Sequence, residues 1–295
     1  MKQRSITSAV IIFLMIIVLF ISFTPAFPGI LALLSFVATY EMLKVFNLHK
    51  RLFVAIPAYL VAIAMPIVAY IMAKVMNRTA LEFILIHTLV IFTFMLYLFV
   101  VAVFERGRMP FGEFASAFAM VTYIVTSFAA LSIIRFTSPI GIYLLGMVLS
   151  SAWMTDVCAY LVGSFFGKHK LIPEVSPKKT VEGAIGGVVG ETLVLFLYGL
   201  LVQLITAKLS TVNPDIPALI PNYIVIGISG VLFAVVSQMG DLFAWVIKTE
   251  HGVKDFGSVF PGHGGIMDRF DSVIIVAIVT MILSLFVSPF AIAGA

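Results

Sequence analysis

The sequence predicts an all-α integral membrane protein with about nine transmembrane helices. Hydrophobic residues make up 62% of the 295 residues and charged residues only 11%, which lies far outside the range of soluble globular proteins. The apolar residues form runs of about 20, the helical length that spans a bilayer core about 30 Å thick. These runs are apolar on all sides, whereas strands of a membrane barrel would alternate with polar residues.

Nine windows along the chain have the length and hydropathy of a membrane span. One competing interpretation treats residues 1–26 as a cleaved signal peptide, but the apolar run is longer than a usual signal core and continues almost at once into a second span. We therefore count it as a span. The predicted spans are approximately 7–23, 27–46, 52–74, 81–104, 111–134, 139–164, 182–205, 221–247 and 272–293.

The basic residues indicate the orientation of these spans. Nine helices place alternate loops on opposite sides, and cytoplasmic loops carry the excess of lysine and arginine. Of the 18 basic residues, 14 fall on the side of the N-terminus and four, which are Lys74, Arg78, Arg135 and Lys208, fall on the other. We expect the N-terminus and the large polar loops in the cytoplasm and the C-terminus outside.

Charge and cysteine content exclude several classes of function. The net charge of +4 comes from basic residues scattered over short loops, which argues against nucleic-acid binding. Cys158 is the one cysteine, so an internal disulfide and a thiolate metal site are both excluded. What remains is transport or chemistry at the membrane.

Function is predicted to concentrate in the C-terminal half. Ten of the 14 acidic residues follow residue 150, and two long polar loops, 165–181 and 248–271, fall on the predicted cytoplasmic side. We therefore divide the chain into an N-terminal membrane scaffold over 1–104, middle helices over 105–164 and a C-terminal catalytic region over 165–295.

The loop 248–271 and the span before it carry a cluster of ionisable residues. If a helix starts at Asp268, Asp271 follows one turn later and both carboxylates can face one point. Gly264 and Gly265 leave backbone amides open to a phosphate just before that helix. Together with Asp241, the carboxylates suit a hard ion such as Mg²⁺, which also takes phosphate oxygens. An alternative is a surface ion-pair network that caps the last helix, and it explains single residues better than the whole set.

The loop 165–181 offers a second set of phosphate-binding groups. Its residues Ser176, Lys178, Lys179 and Thr180 can donate hydrogen bonds to phosphate oxygens. Taken alone, two lysines in a cytoplasmic loop need no functional explanation. The glycine-rich run 183–190 is either a close helix-packing face or a phosphate cradle, and we favour packing.

A long pattern of spaced motifs runs through residues 150–275. Its parts are Asp156, the loop Ser176–Gly183, Ser237-Gln-x-Gly-Asp241, Lys248, Lys254-Asp255, Phe260-Pro261, His263-Gly264-Gly265 and Asp268-Arg269-Phe270-Asp271. This pattern resembles the signature of the phosphatidate cytidylyltransferase family, also called CDP-diacylglycerol synthases. Two positions depart from the family pattern, with Trp245 where Ser is usual and Thr249 where Arg is usual.

The resemblance implies transfer of a cytidylyl group from CTP to phosphatidic acid, which gives CDP-diacylglycerol and pyrophosphate. It implies a homodimer in the cytoplasmic membrane and an active site that faces the cytoplasm. It also implies that the reaction depends on Mg²⁺, with room for a second metal ion. We assign catalysis to Asp241, Asp268, Lys248, Lys254, Arg269 and His263, phosphate binding to Ser176, Lys178, Lys179, Thr180, Gly264 and Gly265, and metal binding to Asp241, Asp268 and Asp271, with Asp156, Asp255 and Glu182 as additional candidates.

Two rival functions stay open at this stage. A CTP-dependent enzyme that acts on an isoprenoid lipid phosphate or alcohol would share nearly all of these motifs. An ion-coupled transporter would use Asp156, Glu191 and Asp241 as a cation pathway. The transporter leaves the two polar loops unexplained, so we rank it below the enzymes.

Overall fold

The computed structural model describes residues 20–105, 110–174, 176–260, 262 and 264–293. Seven of the described helices are long and apolar enough to cross a membrane, so the chain is a multi-pass membrane protein. We number the helices α1 Ala26–Val45, α2 Leu52–Tyr70, α3 Ala80–Phe104, α4 Phe111–Thr137, α5 Gly141–Phe166, α6 Val181–Val212, α7 Tyr223–Glu250 and α8 Met267–Leu283. The π-helical turn Ile71–Val75 prolongs α2.

Short strands occupy two of the connections. Strands β1 (Lys170–Ile172) and β2 (Ser176–Thr180) form an antiparallel pair within the first polar loop. Strand β3 (Leu219–Pro221) pairs antiparallel with β4 (Phe290–Ile292), near the end of the chain. The fold is therefore helical, and the strands only close the loops between helices.

The predicted spans agree with the helices from α1 to α7 to within a few residues, except that α6 continues to Val212. The first predicted span, 7–23, lies almost wholly outside the described residues. The ninth, 272–293, is wrong at its end, because α8 stops at Leu283 and Phe290–Ile292 is a strand. Pro289 has no N–H to continue a helix, and Ser288 Oγ donates to Phe290 O at 2.6 Å.

The chain divides into two compact units, each built from two segments. The first contains residues up to Pro139 together with Ile247–Ile274. In it α2 packs against α1 and α4 through fully buried small residues such as Ala38 and Ala58. Ser132 of α4 donates to the carbonyl of Pro66 at 2.8 Å. Pro66 is the second of the two prolines inside α2.

The second unit contains Ile140–Val246 and the residues from Ile275 onward. Its main contact joins α5 and α6, and glycines of α6 allow the close approach. A Cβ at Gly187 would lie 3.1 Å from Cβ of Ala159, and one at Gly190 would lie 2.6 Å from Cβ of Cys158. The glycine-rich run is therefore a helix-packing face, as favoured from the sequence.

Candidate functional site

A cavity of about 360 Å³, with a largely apolar wall that carries several charged side chains, lies in the second unit between α5, the β1–β2 hairpin, α6 and α7. The apolar part of its wall includes Ala159, Gly163 and Leu171. The wall carries both carboxylates and ammonium groups. Carboxylates suit a cation, and ammonium groups suit a phosphate. The polar residues of the wall include Asp156, Lys178, Lys179, Thr180, Gln238 and Asp241.

Lys179 and Asp241 form an ion pair at this cavity. The two side chains are 30% and 33% exposed, so water and solutes reach both. An ion pair of such exposure contributes only about 0–1 kcal/mol. A phosphate can therefore take Lys179, or a cation Asp241, at little cost to the fold.

The hairpin is fixed to the N-terminus of α6 by local capping. Thr180 is the N-cap residue, and its Oγ1 accepts from Gly183 N at 3.1 Å. In the first turn of α6, Glu182 accepts from Lys168 N at 3.0 Å and contacts His169 Nδ1 at 2.6 Å. These bonds hold the chain on both sides of the hairpin, so Lys178 and Lys179 are presented from a defined position.

Glycines let the hairpin approach α5 closely. A Cβ at Gly163 of α5 would lie 2.9 Å from Thr180 Oγ1, and a Cβ at Gly183 would lie 2.8 Å from Ala159 O. A side chain at either position would push Thr180 and the start of α6 away from α5. The lysines of β2 and Asp156 of α5 share one cavity because of this spacing.

A second polar cluster lies in the first unit, at the turn before α8. Asp268 Oδ1 accepts from Lys248 Nζ at 2.9 Å, and its Oδ2 accepts from Phe256 N and Gly265 N at 2.8 Å each. The Lys248 ammonium also lies 4.9 Å from the Phe256 ring centroid. With the Asp268 side chain 4% exposed and that of Lys248 19% exposed, this is a nearly buried ion pair.

The glycines of this turn shape its backbone, and the amide of Gly265 is not open to a phosphate as we predicted, because it donates to Asp268 Oδ2 at 2.8 Å. Gly262 and Gly264 adopt φ of +75° and +82°, which residues with a side chain rarely do. A Cβ at Gly264 would also lie 2.6 Å from Asp268 Oδ2. Gly265 is buried and donates to Asp268. His263, which we assigned to catalysis, lies outside the described residues.

The remaining predicted residues of this region are placed as follows. Lys254, Asp255 and Arg269 are exposed. Asp268 stands in the first turn of α8, as predicted, with Asp271 one turn further on. The Asp271 Oδ1 atom accepts from Ser272 N at 2.8 Å. The roles assigned to these residues stay predictions.

Ser176 of the first polar loop and Glu182 of α6 are not among the residues that line the cavity. Ser176 is buried in β2, where it pairs with Ile172 of β1. Glu182 holds the base of the hairpin and is a positioning group in this arrangement. Binding of phosphate by Ser176 stays a prediction.

The carboxylates leave room for a metal that is completed by the substrate. Within the described ranges no three His, Cys, Asp or Glu side chains are grouped closely enough to hold a metal ion. Mg²⁺ does not need such a group, because it commonly binds one or two carboxylates, substrate phosphates and water. Asp156 and Asp241, which line one cavity, fit that pattern.

The sequence reasoning missed several groups that the structure places near these residues. Gln238 lines the cavity and donates from Nε2 to Ala184 O at 3.3 Å. It stands three residues before Asp241 on α7, a spacing that puts both on one helix face and that would have revealed it. Tyr160 also lines the cavity. It stands one turn after Asp156, so the same helical spacing would have revealed it. Glu41 of α1 accepts hydrogen bonds from the turn before α8, and no spacing in the sequence connects it with that turn.

The described architecture is that of a multi-pass membrane protein with a carboxylate- and lysine-lined cavity. The model of the cytidylyltransferase family matches residues 2–287. Proteins named phosphatidate cytidylyltransferase from Staphylococcus aureus (strain COL) and Staphylococcus haemolyticus are 31% and 30% identical over 274 residues, which is 92% of this chain and 94% of theirs. The chain belongs to the cytidylyltransferase family, and the resemblance noted from its motifs is confirmed.

Proposed function

We propose that this protein transfers a cytidylyl group from CTP to phosphatidic acid, forming CDP-diacylglycerol and pyrophosphate for phospholipid synthesis. The observation that carries the proposal is the cavity in which Asp156 and Asp241 face Lys178 and Lys179. Such a cavity suits a triphosphate with its counter-ions. The names of the staphylococcal relatives support phosphatidate as the acceptor.

The reaction needs charge neutralisation more than proton transfer. A phosphate oxygen of phosphatidate, which is already ionised, attacks the α-phosphorus of CTP, and the bond to the bridging oxygen of the leaving pyrophosphate breaks. Positioned cations then supply most of the catalysis. Lys178 is exposed and Lys179 can leave Asp241 for a phosphate, so both are suited to bind the triphosphate.

We further propose that Asp241 and Asp156 hold a Mg²⁺ ion with the nucleotide phosphates, and the chemistry leaves room for a second ion. Such an ion would supply positive charge beside the nucleotide phosphates, and Asp241 and Asp156 would hold it there. Asp268 belongs to our predicted ligand set as well, together with Asp271. A carboxylate oxygen has two acceptor sites, so the bond from Lys248 to Asp268 Oδ1 does not exhaust that atom.

In this proposal the turn before α8 binds phosphate oxygens. Gly264 and Gly265 belong to the predicted phosphate-binding set, but the Gly265 amide already donates to Asp268. The positive charge of Lys248, Lys254 and Arg269 therefore carries this part of the proposal. The Lys248–Asp268 pair keeps the lysine ordered inside the protein. A lysine held in this way loses little further conformational freedom when a phosphate binds.

The proposed topology follows from the basic residues. Nine spans place the N-terminus and both polar loops in the cytoplasm, where CTP is available, and the C-terminus outside. The acyl chains of phosphatidate stay in the leaflet while its head group enters a polar cavity between helices. We propose a homodimer in the cytoplasmic membrane, in keeping with the family resemblance.

The test is conversion of labelled phosphatidic acid by the purified protein with CTP, in the presence of Mg²⁺ and again with chelator. We expect a CDP-lipid only with the metal. Asp241→Asn should abolish turnover, because it removes a cavity charge at nearly constant shape, whereas Asp215→Asn, at an exposed loop position, should leave it unchanged. Conversion of an isoprenoid lipid phosphate in place of phosphatidate would favour the first rival function. If no lipid is converted, the enzyme proposal fails.

A further inference from the structure

Glu41 of α1 is a buried acid in a membrane-spanning helix, and both of its carboxylate oxygens are bonded. The residue is only 2% exposed. Its Oε1 accepts from Ile266 N at 3.0 Å, and its Oε2 accepts from Met267 N at 2.9 Å. These amides open α8, where helical N–H groups lack intrahelical partners and attract negative charge. Glu41 therefore caps a helix that begins more than 200 residues further along the chain.

The turn before α8 is shaped around this carboxylate. Gly257 and Gly265 pack against it so closely that a Cβ on either residue would overlap the Glu41 carboxylate. Neither glycine has the positive φ of Gly264, so their lack of a side chain is explained by the space that Glu41 takes. The turn accommodates the acid at two points and bonds it at two more.

The same turn carries the Lys248–Asp268 pair. Gly265 N, next to the amides that Glu41 holds, donates to Asp268 Oδ2, and Phe256 N, next to Gly257, donates to the same atom. Asp268 itself follows Met267 directly. Displacement of the Glu41 carboxylate would therefore move the two backbone donors of Asp268 and the start of its helix together.

We infer that Glu41 is a positioning residue for this turn, holding its backbone and, through that backbone, the Lys248–Asp268 pair in the geometry that the reaction needs. The role of the turn in this inference rests on the proposed function. The contact between Glu41 and the turn is observed independently of that function. Insertion of a carboxylate into a membrane span is costly. Two backbone bonds at a helix N-terminus, with two glycines making room, offset that cost at this one position.

The main variant is Glu41→Gln, which keeps the shape but replaces one acceptor oxygen with an NH₂ donor that faces a backbone N–H. The matched control is Glu191→Gln. Glu191 is also fully buried in a membrane-spanning helix, but its carboxyl accepts from Ser151 Oγ at 2.7 Å, between α5 and α6. Both variants replace one buried carboxyl group by an amide, and only the first concerns the turn.

Three quantities are measured on the full chain in detergent: amide hydrogen exchange in a peptide covering 264–268, kcat and KM with CTP and phosphatidate, and the thermal unfolding midpoint. For Glu41→Gln we expect exchange of the Ile266 and Met267 amides to accelerate at least tenfold. We expect kcat to fall at least tenfold while both KM values change less than threefold. Glu191→Gln should leave the exchange of this peptide and kcat within twofold of wild type.

A second pair of variants covers the case in which Glu41→Gln does not fold. Gly257→Ala keeps the acid but pushes its carboxylate aside, and we expect at least a fivefold loss of kcat. Gly29→Ala, on the same helix as Glu41 but in open space, should stay within twofold of wild type.

Three results would overturn the inference: unchanged exchange in Glu41→Gln, a kcat within twofold of wild type, or an equal kcat loss in Glu191→Gln. If wild-type protein converts no lipid, the proposed function fails instead, and the exchange comparison still decides whether Glu41 holds the turn.

Discussion

Asp268→Asn and Asp241→Asn should differ in stability although both should lose turnover. Asp268 is a nearly buried partner of Lys248 and accepts two backbone N–H groups. With asparagine, the lysine loses its counter-charge and an amide NH₂ faces a backbone donor or the ammonium group. Removal of one partner of a buried ion pair costs about 3–5 kcal/mol.

The Lys179–Asp241 pair is the exposed counterpart against which the loss of stability in Asp268→Asn is compared. Asp241 and Lys179 are each about one-third exposed, so loss of that pair should cost about 0–1 kcal/mol. Taking about 3 kcal/mol for Asp268→Asn, and roughly 2–4 °C per kcal/mol for a chain of this size, the unfolding midpoint should fall by roughly 6–12 °C. Asp241→Asn, at about 0–1 kcal/mol, should lower it by roughly 4 °C or less.

The assay is thermal unfolding of both variants and wild type in one detergent at one heating rate, with Asp215→Asn as a control for removal of an exposed aspartate. Turnover is measured on the same samples below the lowest midpoint. Equal midpoints for Asp268→Asn and Asp241→Asn would refute the reasoning, because the Lys248–Asp268 pair would then not be a stabilising buried contact.

Two further predictions concern the packing and the hairpin. Gly186→Ala should lower the unfolding midpoint, because a Cβ there would overlap Val162 and overpacking costs about 1–3 kcal/mol. Gly29→Ala, with open space around it, should raise the midpoint slightly through helix propensity, and a matching rise for Gly186→Ala would contradict the packing argument. Glu182→Gln should accelerate hydrogen exchange at Lys168 N, because a charged acceptor becomes neutral, and unchanged exchange would show that this bond does not hold the hairpin.

The membrane spans could be predicted because hydropathy is a local property. About 20 apolar residues must cross the bilayer as a helix wherever they stand in the chain, and seven such helices are described. The ninth predicted span failed at its end for one local and one non-local reason. The local one is Pro289, which a hydropathy average does not weigh. Residues 290–292 pair with residues 219–221, and no hydropathy window contains both segments.

The chemical groups of the site could also be predicted in part. The Ser176–Gly183 motif and the Asp241 motif placed lysines and carboxylates in the right segments, and the structure brings Lys179 and Asp241 into one cavity. Glu41 could not be assigned to the turn, because a single acid in an apolar helix carries no information about which distant backbone it meets.

Composition, the length of the apolar runs and the spacing of the motifs were enough to determine the class of protein and the region of its chemistry, since each can be read within a short stretch of the chain. Helix packing alone decided which groups meet. Asp268 is enclosed by Lys248 and backbone donors while Asp241 stays open to the cavity. That difference depends on which segments the folded chain brings together, and the two aspartates look alike in the sequence.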